Sequence, residues 1–397
     1  MAATGARCLS IGEVRGCTSF LDFVAQRPVT PPSGRIGGAL LTYTSGTTGP
    51  PKGVLRQLRD VPPGEVLAPL TRWFRDTFRL EEHHGGVHLN TCPLHFSGPL
   101  LFTAYALNLG HTVVLMPAWH PRLALQLIER RRVTTAFMVP FQFLSLLKLP
   151  PDVRERYSRT SVKCVIHGSA PCPMEVKRQM LNWWGDIIFE CYGATEVGGT
   201  VASPEEWRRY PGTVGKPYGH TEIRIYDEAG TQLPPLAPGR IFMRRAAVNE
   251  FVYKGDPAKT LAARLGEFVT VSDIGYLNEE GFLFLLDRRV DMITCRGEHI
   301  YPAQLESTLL MHPAVADCAF FGMPHPEWGS AVRAAVQLES GIAPSDTLAA
   351  QLLEFLETST AASQCPSRID FVESMPRDAS GKLRRAEVRA RFEAEGS

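Results

Sequence analysis

Residues 44–53 read Thr-Ser-Gly-Thr-Thr-Gly-Pro-Pro-Lys-Gly and come two residues after the apolar run Ala39-Leu40-Leu41. A strand that opens into a loop of glycines and hydroxyl side chains is suited to phosphate. Glycine lets the backbone approach closely, backbone N–H groups point at anionic oxygens, and hydroxyls and a lysine add donors. Thr44, Ser45, Gly46, Thr47, Thr48, Gly49 and Lys52 are therefore candidate phosphate ligands, and a nucleoside triphosphate is the implied partner. The Walker loop needs glycine before its lysine and Ser or Thr after it; Pro51 and Gly53 stand there instead. Two prolines also argue against a helix starting at the lysine.

A chain of 397 residues, 44% hydrophobic, can bury a large core and form more than one domain. A net charge of +1 leaves no electrostatic footprint for nucleic acid. The nine cysteines are odd in number and contain no C-x-x-C pair, which reads as reduced thiols in a cytoplasmic protein. His83-His84 and His88, beside Gly85-Gly86, read as a loop and not a metal site, because no acidic or cysteine partner stands at ligand spacing. No apolar run reaches the ~18 residues of a membrane span, and no apolar segment follows Arg7 or Arg15 as in a signal peptide.

Short apolar runs alternate with helical patterns, as in layered α/β architecture. Strands are expected at 112–116, 133–139, 162–166 and 186–190, with helices at 123–132 and 174–184. From Gly212 the texture turns to β: a turn at 212–217, then strands at 220–226, 239–244 and 281–286. Beyond lies a compact region with its own pattern: an extended piece at 297–301, helices at 303–310 and 347–357, and strands at 316–322 and 331–338.

With these motifs in this order, the chain resembles the adenylate-forming superfamily of acyl-CoA synthetases, luciferases and peptide-synthetase adenylation domains, the bacterial acyl-CoA synthetase branch in particular. The resemblance runs from about residue 35 to the C-terminus. It implies a large α/β domain with a β-subdomain over 1–286 and a small mobile α+β domain over 287–397, with Asp287 as the hinge. His167-Gly168-Ser169-Ala170-Pro171 resembles the adenine-side turn. In Tyr192-Gly193-Ala194-Thr195-Glu196 the aromatic can stack on a purine, Gly193 admits the acid's carboxyl end, Thr195 can bond a phosphate oxygen and Glu196 can hold Mg2+. Asp273 resembles the aspartate that binds both ribose hydroxyls, and Arg288 the second ribose contact. Lys382, in Ala379-Ser380-Gly381-Lys382, matches the mobile lysine that bridges carboxylate and α-phosphate, where a fixed cation stabilises developing charge.

Three departures bear on function. Only 43 residues precede Thr44, where family members carry well over a hundred, so the first subdomain is expected to be largely missing. That would expose sheet surface and favour a homodimer or a partner chain. In Pro93-Leu94-His95-Phe96 the position of the usual gate residue holds Phe96, with His95 one place early; both are acid-pocket candidates, with His167, Gly193 and Gly198. Thr294-Cys295-Arg296-Gly297 retains the glycine of the thiol-tunnel loop but not its usual neighbours. The resemblance thus implies ATP, Mg2+ and a small-molecule acid, with CoA as the expected acceptor. The alternatives are a natural-product ligase that makes an amide or activates nitrite to diazotise an aromatic amine, and a non-catalytic nucleotide-binding paralogue.

Overall fold

The computed structural model describes residues 8–395, apart from 31–32, 40, 45–51, 57, 59, 82–84, 246–250, 362–363 and 379–380. Contacts divide the chain into two units, Met1–Gly38 with Leu58–Leu67, and Ala39–Gln57 with Ala68–Ser397. In the first, strands Leu9–Ser10 and Thr18–Ser19 pair in parallel. Helix Phe20–Ala25 follows, capped by the Ser19 hydroxyl, which accepts from the Asp22 N–H at 3.3 Å.

The second unit is organised around a long mixed sheet. Its parallel half runs, in spatial order, Thr112–Leu115, Val87–Asn90, Thr135–Met138, Cys164–Gly168 and Ile188–Gly193. Helices Ser97–Asn108, Pro121–Arg131, Pro140–Leu147 and Met174–Trp184 connect these strands. Because successive strand residues face opposite ways, Val165 and Ile188 pack with Leu125, Ile128, Phe143 and Met180. Cys164, Ile166 and Phe189 pack with Phe74, Phe78, Phe102 and Tyr105 on the other face. Both faces are covered, which explains the near-continuous apolar runs in these strands.

Pairing turns antiparallel at Ile188–Gly193, and the sheet continues through Gly199–Ala202, Thr213–Pro217, Leu283–Arg288, Phe268–Leu277, Gly239–Arg245 and Thr221–Tyr226. The strand Lys52–Arg56 lies between Thr42–Thr44 and Phe251–Tyr253 in a separate three-stranded sheet. In the C-terminal region Val315–His325 and Gly329–Leu338 pair antiparallel, and Arg368–Val372 joins in parallel. Helices Pro302–Leu309 and Asp346–Glu357 cover one face through Leu305, Leu309, Leu352 and Leu356. Helix Arg385–Glu395 covers the other through Val388 and Phe392.

Most expected elements are present, shifted by a residue or two, and two expectations fail. Residues 212–217 are not a turn: Thr213–Pro217 is a strand with a register shift between Thr213 and Gly215. Gly215 takes φ +94° there, and a Cβ would meet the Val201 carbonyl oxygen at 2.0 Å, so its glycine marks a bulge and a close strand, not a reversal. His88 is not in a loop; it lies fully buried in Val87–Asn90, with Nδ1 2.9 Å from the Thr135 hydroxyl. Its strand carries little apolar signal, which hid it. His83 and His84 lie outside the described residues.

Gly199 packs still closer, since a Cβ would meet the Tyr192 carbonyl oxygen at 1.9 Å. Gly199→Ala is expected to destabilise the protein by about 1–3 kcal/mol through overpacking, read as a lower urea midpoint.

Candidate active site

Three strands bring the charged groups together. Asp273, on Phe268–Leu277, pairs in register with Arg288 on Leu283–Arg288, and Arg288 Nε lies 3.5 Å from Asp273 Oδ1. From the end of the parallel half, the Tyr192 hydroxyl donates to Asp273 Oδ2 at 2.7 Å. Burial pushes Asp273 above the ordinary carboxylate value, opposed first by Arg288 and then by the Tyr192 hydrogen bond. Burial and the Asp273 charge drive the Tyr192 phenol well up, so it remains a donor.

Lys382 reaches the same place from the far end of the chain. With Tyr192, Gly193, Asp273, Asp287 and Arg288 it lines a cavity of about 1300 Å3, whose wall also includes Ser169, Ala170 and Pro171. Burial, then Arg288, lowers Lys382 to about 8 against the pull of Asp273, Asp378 and Asp291. Among the described residues its Nζ has no hydrogen-bonding or ion-pair partner. A half-buried ammonium without a bonded counterion is costly, and an anion in the cavity would relieve it.

The Ser169 turn is itself unusual. Ser169 takes φ +70°, a left-handed conformation uncommon outside glycine. Gly168, at the end of Cys164–Gly168, sits where a Cβ would meet the Cys191 carbonyl oxygen at 2.3 Å.

A second group surrounds Glu196, which is buried and accepts the Tyr253 hydroxyl on Oε1 at 2.8 Å. Lys52 Nζ lies 5.3 Å from the centroid of the same Tyr253 ring. Burial, with the neighbouring Lys259, lowers Lys52 to about 8 against Glu196 and Asp256. Arg56 donates to the Thr195 carbonyl at 2.5 Å, and Ser97 Oγ lies 3.4 Å from Thr195 Oγ1. Thr44 ends the strand Thr42–Thr44; the other expected phosphate ligands Ser45, Gly46, Thr47, Thr48 and Gly49 lie outside the described residues.

Of the acid-pocket candidates, Gly193 lines the cavity, while His95, Phe96, His167 and Gly198 are outside its wall. His95 is exposed with its ring against Phe96, at 4.1 Å between centroids. His167 is fully buried, and burial holds it well below the ordinary histidine value, hence neutral. It sits 3.5 Å from Glu190, whose carboxylate takes the buried Lys177 ammonium at 2.6 Å. The Gly198 carbonyl accepts from the Ala194 N–H. Asp287 accepts the Arg288 N–H on Oδ1 at 2.7 Å and the Ala303 N–H on Oδ2 at 2.9 Å. Gly297 and Arg296 make the positive-φ turn between Ile293–Cys295 and Glu298–Ile300, the arrangement a two-residue hairpin loop requires. Arg296 lies 3.9 Å over the Trp328 ring, and Gly297 is exposed, outside the cavity wall.

Two family models match the chain, the AMP-binding enzyme over residues 21–252 and the AMP-binding enzyme C-terminal domain over residues 304–382. This chain belongs to the AMP-binding, adenylate-forming enzyme family. It is 32% identical over 361 residues to a fatty acid–[acyl-carrier-protein] ligase, ScoC, of Streptomyces coeruleorubidus, covering 88% of this chain and 66% of that one. Among solved structures it is similar to the amide bond synthetase McbA from Marinactinospora thermotolerans, with TM-score 0.79 and 26% identity over 97% of this chain and 75% of that one. It is also similar to the o-succinylbenzoate coenzyme A synthetase MenE from Bacillus subtilis in complex with ATP and magnesium ion, with TM-score 0.74 and 29% identity over 88% of this chain and 69% of that one. The chain thus spans about two thirds to three quarters of the length of these proteins.

The site of this AMP-binding enzyme also contains residues that motif reading passes over. Tyr253, which holds Glu196, lies on a short strand next to undescribed residues and carries no motif. Lys177 and Glu190 are thirteen positions apart and meet only because a helix and the following strand pack together. Among the described residues, no group of three or more His, Cys, Asp or Glu is placed to hold a metal. No helix among them is long and apolar enough to cross a membrane.

Amine-specific labelling followed by mass spectrometry should give titration midpoints near pH 8 for Lys52 and Lys382, well under the ~10.4 of an unperturbed lysine. Removing one partner of a buried ion pair costs about 3–5 kcal/mol. Lys177→Met should therefore lower stability by that order, and adding Glu190→Gln should recover part of the loss in urea unfolding.

Proposed function

We propose that this enzyme uses ATP to activate a carboxylic acid as an acyl-adenylate and then passes the acyl group to a thiol, with CoA the expected acceptor. The observation that carries the reading is the convergence of Lys382 with Asp273, Arg288 and Tyr192 on one cavity. A hydroxyl-binding carboxylate, an aromatic ring and a cation in need of an anion together fit a nucleotide joined to an acid. A Glu196 carboxylate held by Tyr253, beside Lys52, fits a magnesium-bound triphosphate, because Mg2+ is commonly held by one or two carboxylates plus substrate phosphates. Similarity to a ligase solved with ATP and magnesium supports the same assignment.

In this reading Tyr192 stacks on the purine while Asp273, steadied by Arg288, accepts the ribose hydroxyls. The Ser169–Pro171 turn closes the adenine side. Lys52, Thr195 and the hydroxyls of Ser45, Thr47 and Thr48 hold the phosphates. Mg2+ supplies charge neutralisation when bound. A carboxylate oxygen attacks the α-phosphorus, the bond to the β-phosphate bridge breaks, and pyrophosphate leaves. Lys382 stabilises the negative charge gathered between the two reactants. The region 287–397 then turns about Asp287, withdraws Lys382 and carries the Gly297 hairpin toward the acyl carbon. The acceptor sulfur attacks, AMP leaves with the electron pair, and the thiol proton goes to solvent.

The likeness to an amide bond synthetase over 97% of this chain favours an amine as the second candidate acceptor. The absence of disulfides among the nine cysteines supports a reducing, cytoplasmic setting. A homodimer or covering partner remains part of the proposal, supported by the edge strand Thr112–Leu115, whose outer side pairs with no strand among the described residues and where Leu115 is exposed.

Pyrophosphate release should be dependent on an acid when fatty acids, aryl acids and nitrite are screened with ATP. Lys382→Ala should reduce that step by at least a hundredfold and leave transfer from supplied adenylate within a few-fold. Equal loss of both steps would contradict the role of Lys382. Both lysines must be charged, so kcat/KM for ATP should be full below about pH 8 and fall above it, approaching a hundredfold per pH unit. Lys382→Arg should halve that slope on a logarithmic plot.

A further inference from the structure

Lys382 is flanked by two arginines that the adenylation chemistry does not use. Arg385 opens the helix Arg385–Glu395 three residues after it. Arg385 Nη1 lies 2.8 Å from Asp291 Oδ2, and Nη2 donates to both oxygens of Glu306 at 2.8 and 2.9 Å. Glu306 Oε1 also accepts the Phe320 N–H at 2.9 Å. The Arg385 and Glu306 side chains are 12% and 13% exposed, so this is a buried bidentate pair and not a solvated surface contact. On the other flank, Arg377 binds Asp317 at 2.5 and 2.6 Å and donates to the Gly381 carbonyl at 2.7 Å.

The network leads back to Asp287. Asp287 Oδ2 accepts the N–H of Ala303, at the start of helix Pro302–Leu309. Glu306 stands on that helix one turn further on. A continuous path therefore runs from Asp287 through the helix to Glu306, from Glu306 to Arg385, and from Arg385 along three residues of backbone to Lys382. A lysine has four side-chain torsions and holds a position only if its backbone is fixed.

We propose that Arg385, through Glu306 and Asp291, is the positioning residue that fixes the backbone at Lys382 against the helix Pro302–Leu309 and so sets where Lys382 stands in the cavity. The inference rests on the adenylation reading for its consequence, but the positioning is independent of it. Burial raises Glu306 to about 7 even though Arg385 opposes that rise. Arg385 touches no reacting atom in this account and is distinct from Lys382 in kind.

The test uses the full chain and needs no turnover. Lys382 is labelled with N-hydroxysuccinimidyl acetate across a pH series and quantified by mass spectrometry in wild type, Asp291→Asn and Arg385→Lys. Asp291→Asn keeps the Arg385–Glu306 pair, and Arg385→Lys keeps the cation, so neither leaves a buried carboxylate without any positive neighbour. The limiting labelling rate of Lys382, read on the plateau above its midpoint, is expected to rise at least fivefold in both variants; in Arg385→Lys the midpoint moves from about 8 toward the ~10.4 of a free lysine, whereas in Asp291→Asn the loss of a carboxylate that raises Lys382 opposes that movement. The fully buried Lys177 is the internal control and should stay protected. Unchanged Lys382 labelling, or equal rises at Lys177 and Lys382 in both variants, would overturn the proposal by leaving the ion pairs a purely structural role. If the wild type releases no pyrophosphate with any acid, the adenylation reading fails, and the labelling result still decides the positioning.

Discussion

The pairing of Asp273 with Arg288 across two neighbouring strands is the contact on which the site depends. It places an anion and a cation in the antiparallel half of the sheet, within hydrogen-bonding reach of Tyr192 on the strand where parallel pairing gives way to antiparallel. Ligands in open α/β sheets bind outside the carboxyl ends of the strands, and Tyr192 stands at such an end. Its hydrogen bond to Asp273 ties the two halves of the sheet together at the cavity. The pair also sets the electrostatics that Lys382 meets: Arg288 lowers its pKa and Asp273 raises it.

A balance of this kind suits a site that must accept a charged guest and release it. Lys382 is half-buried, and its Nζ has no bonded partner among the described residues, while Lys52 is lowered by burial and by another lysine. Both cations are therefore under-compensated in the free protein. A polyphosphate or carboxylate gains more from them than it would from solvated lysines, because the desolvation cost is already met in the fold. The more strongly bonded charges, Arg385 with Glu306 and Arg377 with Asp317, lie around the cavity and hold the backbone that carries Lys382.

Much of this was legible in the sequence because the chemistry lies in contiguous motifs. The run at 44–53, Tyr192 to Glu196 and the turn before Lys382 each declare their residue types in order. The parallel strands were also legible, since burial on both faces leaves unbroken apolar runs. Other features were not, for physical reasons. Glycine and proline at 212–217 look like a reversal, yet Gly215 is there so that a neighbouring strand can approach. His88 is polar and strand-borne, hidden by its residue type. Tyr253, Arg385 and Glu306 act through contacts far apart in sequence, so no local spacing reveals them.

The central claim is that a carboxylate oxygen becomes bonded to the α-phosphorus of ATP. It is tested most directly with an acid that supports pyrophosphate release, carrying 18O in both carboxylate oxygens. After transfer to the acceptor, the AMP formed should contain one 18O atom, because the oxygen that attacked phosphorus leaves with it. AMP without the isotope, or formation of ADP in place of AMP and pyrophosphate, would contradict the account.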